Sequence, residues 1–487
     1  MSVLKTQELV SLLRNDLADY SLGTVMGALG PVGMGGVERE QRLPALDAIA
    51  RRPSRVGLLA KLFLLGAPLT PEEYEEALPS IPFNEAVASG LIAKDYRATI
   101  AIKPVAIPDR HGGGEFLIAS DRGPLQGRAP ETDHVMPVGG ATVTLANLTR
   151  FEKGQTVLDL GTGCGFHALL AAKAGAHVVA TDVSDRALEF TKFNAALAGL
   201  SVEVRKGSLF EPAPERFDRV VSNPPFVITP EKVRRQIGTY EYRDGGVEGD
   251  SLLQQILANV GDHLTDDGVA WILGNWEVGA GIGDANFDTA WREPISGWLG
   301  DRKAWVVLRE VLDPAEYAHM WLRESQLCGG AYDSAFASWL WEMKDNSSIA
   351  FAYLTIGAQD GAQRLEDYRG PIGDTFVDAA WKGLDSAELT DEQLLASYLV
   401  GQGVIEKRLH TSGQPDPWHI SLMSHGREIP VSVEVAGFVG ACDGDLSAKQ
   451  ILGALATLLD LDGESLTEAV LPVIRELVGA GVLAVNG

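Results

Sequence analysis

Seven short apolar runs lie along the central part of the chain, and amphipathic stretches follow several of them. The runs are TVLDL, HVVATD, VEVRKG, RVVSN, VAWILGN, AWVVLREV and SIAFAYLTIG. Between the first five, HALLAAKAGA, DRALEFTKFNAALAGL and SLLQQILANVGDHL have apolar residues at the three- and four-residue spacing of a helix. Strands that alternate with helices indicate a parallel sheet with helices on both faces. The pattern therefore predicts an α/β core with a seven-stranded sheet.

The two ends of the chain have a mainly helical pattern. Helical spacing continues to about residue 91, and Thr70 followed by Pro71 is typical of a helix start. ATIAIKPVAI and EFLIASD then alternate as paired strands do. The predicted domains are an N-terminal winged-helix-like domain over 1–128 ending in a strand pair, the core over 129–370 with an insertion around 284–346, and a C-terminal winged-helix-like domain over 378–487.

The composition narrows the classes of function. With 41 Lys and Arg against 66 Asp and Glu, the formal net charge is −25, so a broad face for a nucleic-acid backbone is not expected. The cysteines Cys164, Cys328 and Cys442 form no CxxC pair, which argues against structural zinc and against a disulfide framework. The N-terminus lacks a signal-peptide pattern, and no apolar run is long enough to span a membrane. We expect a cytoplasmic protein that uses no metal.

A glycine-rich loop follows the first strand of the predicted core. Gly161, Gly163 and Gly165 stand in LDLGTGCGF, where a strand passes into a helix. Glycines let the backbone turn tightly and approach a ligand, and a nucleotide can lie across such a turn near the helix N-terminus. The spacing GxGxG differs from the GxGxxG that suits a dinucleotide pyrophosphate. A tight turn without a ligand is the alternative interpretation.

Asp182 ends the next predicted strand, HVVATD. A carboxylate about 20 residues after a glycine loop can accept hydrogen bonds from both hydroxyls of a ribose. The alternative role is that of a helix cap, because a helix begins just after it, near Ser184. The glycine loop upstream favours the ribose contact.

The string Asn223-Pro224-Pro225-Phe226 ends a strand and is the most informative motif of the chain. A planar amino or amide nitrogen is a poor nucleophile because its lone pair is delocalised. Hydrogen bonds from its two protons to the Asn223 side-chain oxygen and the Pro224 carbonyl would orient it for attack. The prolines make the turn rigid, and Phe226 offers a stacking face for a flat substrate. A strand-ending turn without chemistry is the alternative.

These motifs together resemble those of class I S-adenosylmethionine-dependent methyltransferases. The acid and glycine loop of DLGTGCG, residues 159–165, resemble their first motif, and Asn-Pro-Pro-Phe resembles the fourth motif of the amino-methyltransferases. Residues from about 133 to 276 are similar to the small-domain group, which includes release-factor glutamine methyltransferases and ribosomal RNA guanine amino-methyltransferases. The flanking regions together with the insertion resemble a larger, mostly actinobacterial type of methyltransferase.

The resemblance implies a Rossmann-like core, S-adenosyl-L-methionine as the cofactor, and a set of site residues. Ser208 departs from the family, which often has an acid there to meet the adenine amino group. The implied cofactor-binding residues are Asp159, Gly161, Thr162, Gly163, Gly165, Asp182, Ser208 and Asn223. The implied catalytic residues are Asn223, Pro224, Pro225 and Phe226.

The leading hypothesis is N-methylation of a planar amide or amino nitrogen in a macromolecule of the translation apparatus, a protein glutamine of the release-factor type. The first alternative is an amino group of a ribosomal RNA or other nucleic-acid base. The string Asn-Pro-Pro-Phe is followed by a basic cluster, where the substrate should enter: Lys232, Arg234, Arg235 and Arg243. The alternative interpretation is that these side chains form a solvated helix face. The second alternative is a cofactor-binding regulatory protein without catalysis. His167 and the tryptophans of the insertion are interpreted as packing residues.

Overall fold

A computed structural model describes residues 7–128, 131–225, 227–237, 250–323, 327–343, 347–370 and 374–486. None of the described helices is both long and apolar enough to cross a membrane. The helices are α1 Gln7–Asp16, α2 Leu22–Glu38, α3 Arg42–Arg51, α4 Arg55–Leu59, α5 Pro71–Ala77, α6 Phe83–Ser89, α7 Gly140–Leu148, α8 Phe166–Lys173, α9 Asp185–Ala198, α10 Glu231–Ile237, α11 Ser251–Val260, α12 Phe287–Leu299, α13 Pro314–Leu322, α14 Gly330–Glu342, α15 Asp374–Ala387, α16 Asp391–Ala396, α17 Val433–Gly440, α18 Ala448–Leu459 and α19 Gly463–Gly479. The strands are β1 Ala101–Ala106, β2 Glu115–Ser120, β3 Thr156–Leu160, β4 His177–Asp182, β5 Glu203–Lys206, β6 Phe217–Ser222, β7 Leu264–Val278, β8 Arg302–Leu312, β9 Ser348–Asp360, β10 Gln363–Asp367, β11 Tyr398–Gly401, β12 Ile405–His410, β13 Pro417–Ser424, β14 Arg427–Pro430, β15 Asp443–Ser447 and β16 Leu483–Asn486.

Five parallel strands form the part of the sheet that carries the candidate site. Their order is β7-β6-β3-β4-β5, with β3 paired to β4 on one side and to β6 on the other. Helices α8 and α9 lie in the connections and pack on β4. The apolar residues of β3 and β6 are buried, as expected for strands of a parallel sheet with both faces covered. The predicted α/β class is confirmed.

The carboxyl ends of β3, β4 and β6 lie side by side at one edge of this sheet. Leu160, the last residue of β3, pairs with Thr181 of β4 and with Ser222 of β6. The segments that leave these strands are therefore brought together, and they contain the glycine loop, Asp182 and Asn223. Ligands of open α/β sheets bind at this edge. Parallel pairing thus assembles the motifs that the sequence places far apart.

The N-terminal hairpin is held to helix α9 by buried polar contacts. Strands β1 and β2 pair antiparallel over their whole lengths, as predicted. Asn194 of α9 accepts a hydrogen bond from the backbone N–H of Ala119 at 2.8 Å and donates one to the Ala119 carbonyl at 2.9 Å. Arg186 of α9 forms an ion pair with Asp121, with Nε 2.6 Å from Oδ2. The region before residue 129 therefore packs as part of the core.

The chain divides into two compact units whose boundaries differ from the predicted ones. One unit contains Met1–Trp298 and Val311–Phe351, and the other contains Leu299–Glu310 and Ala352–Gly487. The region predicted as a separate domain, 1–128, thus belongs to the same unit as the five parallel strands, because α9 binds the hairpin. Strands β8 and β9 each have residues in both units. Strand β10 is an additional strand and runs parallel to β8 in the second unit.

The predicted insertion contains α12, β8 and a helical hairpin of α13 and α14. The helical hairpin lies between β8 and β9 in the chain and packs around buried Trp339 and Tyr317. The Tyr317 hydroxyl accepts hydrogen bonds from the backbone N–H of Ile228 at 2.9 Å and from the side-chain amide of Asn275 at 3.1 Å. Tyr317 thereby fixes the position of the segment that directly follows the Asn-Pro-Pro-Phe string.

The second unit contains two small three-stranded sheets, ordered β15-β11-β16 and β12-β13-β14. Helices α17, α18 and α19 pack around a core that includes Phe438, Ile474 and Leu477. The order α17-β15-α18-α19-β16 places two successive helices between two strands of the sheet β15-β11-β16. Helix α15 packs on α19, so the unit begins before the predicted boundary at residue 378.

Candidate functional site

The glycine loop is built on left-handed backbone conformations. Gly161, Gly163 and Gly165 have φ angles of 73°, 56° and 85°, a region that side-chain-bearing residues rarely adopt. A Cβ atom added at Gly161 or Gly163 would meet no atom within 4 Å. At Gly165 it would lie 3.0 Å from the Thr191 side chain. The first two glycines therefore leave the loop open to a ligand, and the third allows α8 to pack closely on α9.

Asp159 lies beneath the loop and holds its shape. Its side chain is 2% exposed, and Oδ2 accepts hydrogen bonds from the Thr162 hydroxyl at 2.6 Å and the Ala168 backbone N–H at 3.0 Å. Burial raises the pKa of Asp159 to about 6. Thr162 lines the cavity described below, whereas Asp159 and Gly165 are not among its lining residues. Asp159 thus stabilises the loop by buried hydrogen bonds and does not line the cavity.

Asp182 faces the loop from the end of β4. Its Oδ2 accepts a hydrogen bond from the Gly163 backbone N–H at 3.0 Å, and its Oδ1 accepts one from the Ser184 backbone N–H at 2.9 Å. Burial raises the pKa of Asp182, while these backbone hydrogen bonds favour the ionised form. Each carboxylate oxygen has further lone pairs, so Asp182 can accept hydroxyl groups of a ligand in addition. The predicted ribose contact and the alternative capping contact are therefore compatible.

Ser208 lies at the end of the cavity that is next to β5. The lining there contains Gly207, Ser208 and Leu209 together with Val183, whose side chain is half exposed. Leu209 has a left-handed backbone, with a φ of 48°. Two apolar side chains and one hydroxyl can hold a flat ring by packing, which does not require an acid at position 208. The sequence offered no signal for Val183 or Leu209.

Asn223 has one end of its side-chain amide bound by Thr142 and the other end without a partner in the described part of the chain. Its Nδ2 donates to the Thr142 hydroxyl of α7 at 3.3 Å. Its Oδ1 is buried and has no hydrogen-bond partner among the described residues. Both residues line the cavity. The arrangement leaves an amide oxygen ready to accept a hydrogen bond from a bound N–H group.

The cavity lining also contains the proline turn that follows Asn223 and apolar groups from other elements. Pro224 and Pro225 line it, and Leu252 and Ile256 of α11 lie in the same wall. Trp321 of α13 also lines the cavity, and it is one of the tryptophans that the sequence pattern indicates as packing residues. Phe226, the predicted stacking residue, lies outside the described residues. An aromatic face for a flat acceptor is therefore available from the insertion.

A single cavity of about 480 Å³ joins these groups. Its lining extends from Asp182 and the glycine loop to Asn223 and includes the start of α7, residues 139–142. It also includes His167, the second residue of α8, which is 4% exposed. Among the described residues, no group of three or more His, Cys, Asp and Glu side chains is placed to hold a metal ion.

The described cations of the basic cluster predicted near the entrance are paired with two glutamates. Lys232 forms an ion pair with Glu342 of α14. Arg235 lies 3.0 Å from Glu231, and Arg234 lies 3.7 Å from the same carboxylate. Arg243 lies outside the described residues. Cations that are already paired within the protein attract phosphate groups weakly.

Two family models match the chain. The methyltransferase small domain matches residues 139–239, which contain the glycine loop, Asp182 and the Asn-Pro-Pro-Phe string. A domain of unknown function, DUF7059, matches residues 17–102. The predicted resemblance to the small-domain group is confirmed.

Curated relatives match the same region. The release factor glutamine methyltransferase of Koribacter versatilis is 34% identical over 165 residues, which are 32% of this chain and 55% of the relative. That of Gloeobacter violaceus is 32% identical over 200 residues, 39% of this chain and 67% of the relative. The chain thus spans about half to two thirds of the length of these relatives. A solved structure that resembles this chain is the 16S rRNA N2 G1207 methyltransferase of T. thermophilus in complex with AdoMet and guanosine. Its sequence identity is 19% and its TM-score is 0.27, and the match covers 37% of this chain and 43% of that chain.

Proposed function

Since the chain belongs to the small-domain group of class I S-adenosylmethionine-dependent methyltransferases, we propose that it methylates a planar nitrogen. The unpartnered Oδ1 of Asn223 is the observation that carries this proposal. An amide oxygen accepts hydrogen bonds from an N–H group, and apolar Leu252 and Ile256 line the same cavity as Asn223. We infer an acceptor that is an amide or an aromatic amine.

The cavity residues fit S-adenosyl-L-methionine. When bound, this cofactor supplies a methyl group on a positively charged sulfur. Asp182 would accept the ribose hydroxyls, and residues 207–209 with Val183 would pack on the adenine ring. The open faces of Gly161 and Gly163 allow the ligand to lie against the backbone of the loop. Asp159 keeps that backbone in position through Thr162 and Ala168.

Asn223 would orient the acceptor nitrogen for attack. With Nδ2 held by Thr142, Oδ1 accepts one N–H of the acceptor, and the Pro224 carbonyl accepts the other. The nitrogen is then fixed while it changes from planar to tetrahedral geometry, and positioning of this kind lowers the barrier. Apolar neighbours such as Leu252 and Trp321 exclude water from the same space. Attachment of the methyl group leaves the nitrogen with a positive charge and one proton too many; this proton is strongly acidic and would pass to solvent, so the scheme requires no strong base.

We further propose a protein acceptor of the translation apparatus, a glutamine side chain of the release-factor type. The net charge of −25 and the pairing of Lys232, Arg234 and Arg235 with glutamates both disfavour binding to a nucleic-acid backbone. The curated relatives carry the name release factor glutamine methyltransferase. A primary amide is planar and offers the two protons that Asn223 and Pro224 would bind.

The test is label transfer from radioactive S-adenosylmethionine. The full chain and the Asn223→Ala variant are incubated with a purified bacterial release factor, with ribosomal RNA and with a cell extract. We expect protease-sensitive label in the release factor, located on a glutamine, and little label with the variant. Nuclease-sensitive label would replace the protein acceptor by RNA. Cofactor binding without any transfer would support the regulatory alternative and overturn the enzymatic proposal.

A further inference from the structure

The second unit contains a groove that the methyl-transfer scheme does not use. It has a volume of about 750 Å³ and lies between the start of α17 and the first part of α19. Most of its lining is apolar: Pro430, Val431, Val435, Leu461, Leu466, Ala469, Val470 and Val473. Val435, Leu466 and Val470 are buried, whereas Ala469 is exposed. A concave and mostly apolar surface is typical of a binding site.

Apolar side chains continue this surface beyond the groove. Leu461 lines the groove and is half exposed, and Leu458, three residues before it, is 79% exposed. Val433, the first residue of α17, is also half exposed. The turn after α18 is ordered by a hydrogen bond from the Leu461 backbone N–H to the Ala456 carbonyl at 2.9 Å. Apolar side chains that are held together at a surface commonly mark a contact with another protein, and their extent favours a peptide segment over a small molecule.

The charges at the groove are negative. Glu434 and Asp462 line it, and none of its described lining residues is Lys, Arg or His. Hydrogen bonding with Ser432 lowers the pKa of Glu434. The backbone N–H of Ser465 donates to Asp462 Oδ2 at 2.9 Å and lowers the pKa of Asp462, so both carboxylates are ionised at neutral pH. The stretch 450–474 contains four acids and no Lys, Arg or His.

This charge excludes two kinds of occupant and favours a third. Carboxylates repel the phosphates of a nucleic acid. A second copy of the chain has a net charge of −25 and is a poor match for an acidic groove. A partner with lysines or arginines beside its apolar side chains complements both the charge and the apolar lining.

We propose that the groove binds a partner protein through a basic amphipathic segment. The apolar side chains of the segment would occupy the groove, and its lysines or arginines would pair with Glu434 and Asp462. An amphipathic helix that places its apolar face in such a groove is a common mode of peptide recognition. The inference does not rest on the proposed methyl transfer, because the groove and the cavity have no lining residue in common.

The experiment uses the full chain and two synthetic helical peptides. One peptide consists of leucine and lysine, with leucine at positions i, i+3, i+4 and i+7, and the other has glutamate in place of lysine. Fluorescence anisotropy measures their affinities. We expect the lysine peptide to bind, with an affinity that falls as salt is added, and the glutamate peptide not to bind.

Two matched variants locate the binding. Ala469→Arg introduces a bulky cation into the groove, and Ala454→Arg introduces the same group at an exposed position of α18 that does not line it. We expect Ala469→Arg to weaken binding of the lysine peptide at least about tenfold and Ala454→Arg to change it less than about twofold. Glu434→Gln should also weaken it, and this variant serves if Ala469→Arg does not fold.

Four results would overturn the proposal. Absence of binding by the lysine peptide would refute it, and equal binding of both peptides would refute a basic partner. Equal weakening by Ala469→Arg and Ala454→Arg would mean that the peptide responds only to the total charge of the protein. A full chain that sediments as a dimer, together with a monomeric Ala469→Arg variant, would show that a second copy occupies the groove. S-adenosylhomocysteine affinity should be the same in all variants, so each of these results would leave the proposed cofactor unaffected.

Discussion

Asn223 has a side chain whose orientation is decided by another element. An amide offers an oxygen at one end and an NH2 group at the other, and only the oxygen can accept the protons of an amine. Thr142 of α7 binds the NH2 end, so Oδ1 is the end of the side chain that has no hydrogen-bond partner among the described residues. The motif alone gives the residue type, and α7 gives the orientation.

Asn223→Ala should lower turnover by at least about a hundredfold, a loss of roughly 3 kcal/mol in transition-state stabilisation. Affinity for S-adenosylhomocysteine should stay within a few-fold, because Asn223 acts mainly on the acceptor. Single-turnover transfer at saturating acceptor measures the effect. Thr142→Val should give a smaller loss of the same kind, and Thr142→Ser should restore the rate. An unchanged rate in Asn223→Ala would refute nitrogen methylation by this mechanism.

Asp182 and Ser208 should differ strongly in their contribution to cofactor affinity. Asp182 can form charge-assisted hydrogen bonds to two hydroxyls, which are roughly twice as strong as neutral ones, whereas Ser208 offers one neutral group at the surface. We expect Asp182→Ala to weaken binding of S-adenosylhomocysteine much more than Ser208→Ala. Calorimetry on both variants provides the comparison, and equal losses would contradict the placement of the ribose.

Asp159 should make the stability of the fold depend on pH. Burial raises the pKa of Asp159 to about 6, so in the folded protein it stays protonated above the pH at which it ionises in the unfolded chain. The contribution of Asp159 to the free energy of unfolding therefore falls as pH rises from about 4 to about 6, by ~3 kcal/mol. Asp159→Asn keeps an oxygen for Thr162 and Ala168 but does not titrate.

Urea unfolding of the wild type and of Asp159→Asn between pH 4 and pH 7 measures this contribution. The variant should gain stability relative to the wild type as pH rises through that window. If the free energy of unfolding changed with pH in the same way for both proteins, the buried carboxyl of Asp159 would not titrate between pH 4 and pH 7.

At the scale of elements, the helical hairpin of α13 and α14 changes the acceptor side of the site. Trp321 of α13 lines the cavity, and Tyr317 of the same helix holds the segment at Ile228. Helix α14 supplies Glu342, which pairs with Lys232. The hairpin therefore shapes both the wall and the charge of the region where the acceptor would enter.

Trp321→Ala should weaken binding of a flat acceptor, because the aromatic face is lost. We expect the KM for the acceptor to rise about tenfold, a change of about 1.4 kcal/mol, with S-adenosylhomocysteine affinity unchanged. Trp341→Ala is the matched control, since Trp341 lies in α14 of the same hairpin but is 84% exposed. Equal effects of the two substitutions would mean that Trp321 has no direct role at the acceptor.

At the scale of the molecule, the N-terminal region and the methyltransferase motifs share one compact unit. Asn194 bonds both backbone groups of Ala119 and also donates to the carbonyl of Cys164 in the glycine loop at 2.8 Å. Arg186 and Asp121 join the same two regions. The loop is therefore connected to the hairpin through one buried asparagine.

Removal of residues 1–128 should abolish cooperative unfolding and S-adenosylhomocysteine binding. The truncated chain would lose the Asn194 hydrogen bonds and the Arg186 ion pair and would expose apolar surface of α9, and the summed loss is a large fraction of the ~5–15 kcal/mol by which a domain is stable. Calorimetry and circular dichroism during heating measure the outcome. Arg186→Ala in the full chain should retain a cooperative transition at a lower temperature. A truncated chain that binds S-adenosylhomocysteine like the full chain would show that the N-terminal region is a separate domain.

The sequence by itself determined the features that depend on local pattern. Alternating apolar and amphipathic segments specify strands and helices, and the order of the glycine loop, Asp182 and Asn223 specifies which strand ends carry chemistry. In a parallel sheet these ends must meet at one edge, so the order of the motifs is enough to predict the candidate site. The strand pair near residues 101–120 was equally local, and it was predicted correctly.

Only the tertiary structure decided what depends on contacts between distant segments. His167 has the sequence context of a packed helix residue, and only the assembled structure shows that its ring nitrogens have no hydrogen-bond partner among the described residues. Thr142, Trp321 and the attachment of the N-terminal hairpin to α9 are likewise long-range contacts. A periodic pattern records which face of an element is buried, but it does not record which partner buries it. For that reason the motifs were predictable, whereas the residues that orient them and the boundaries of the units were not.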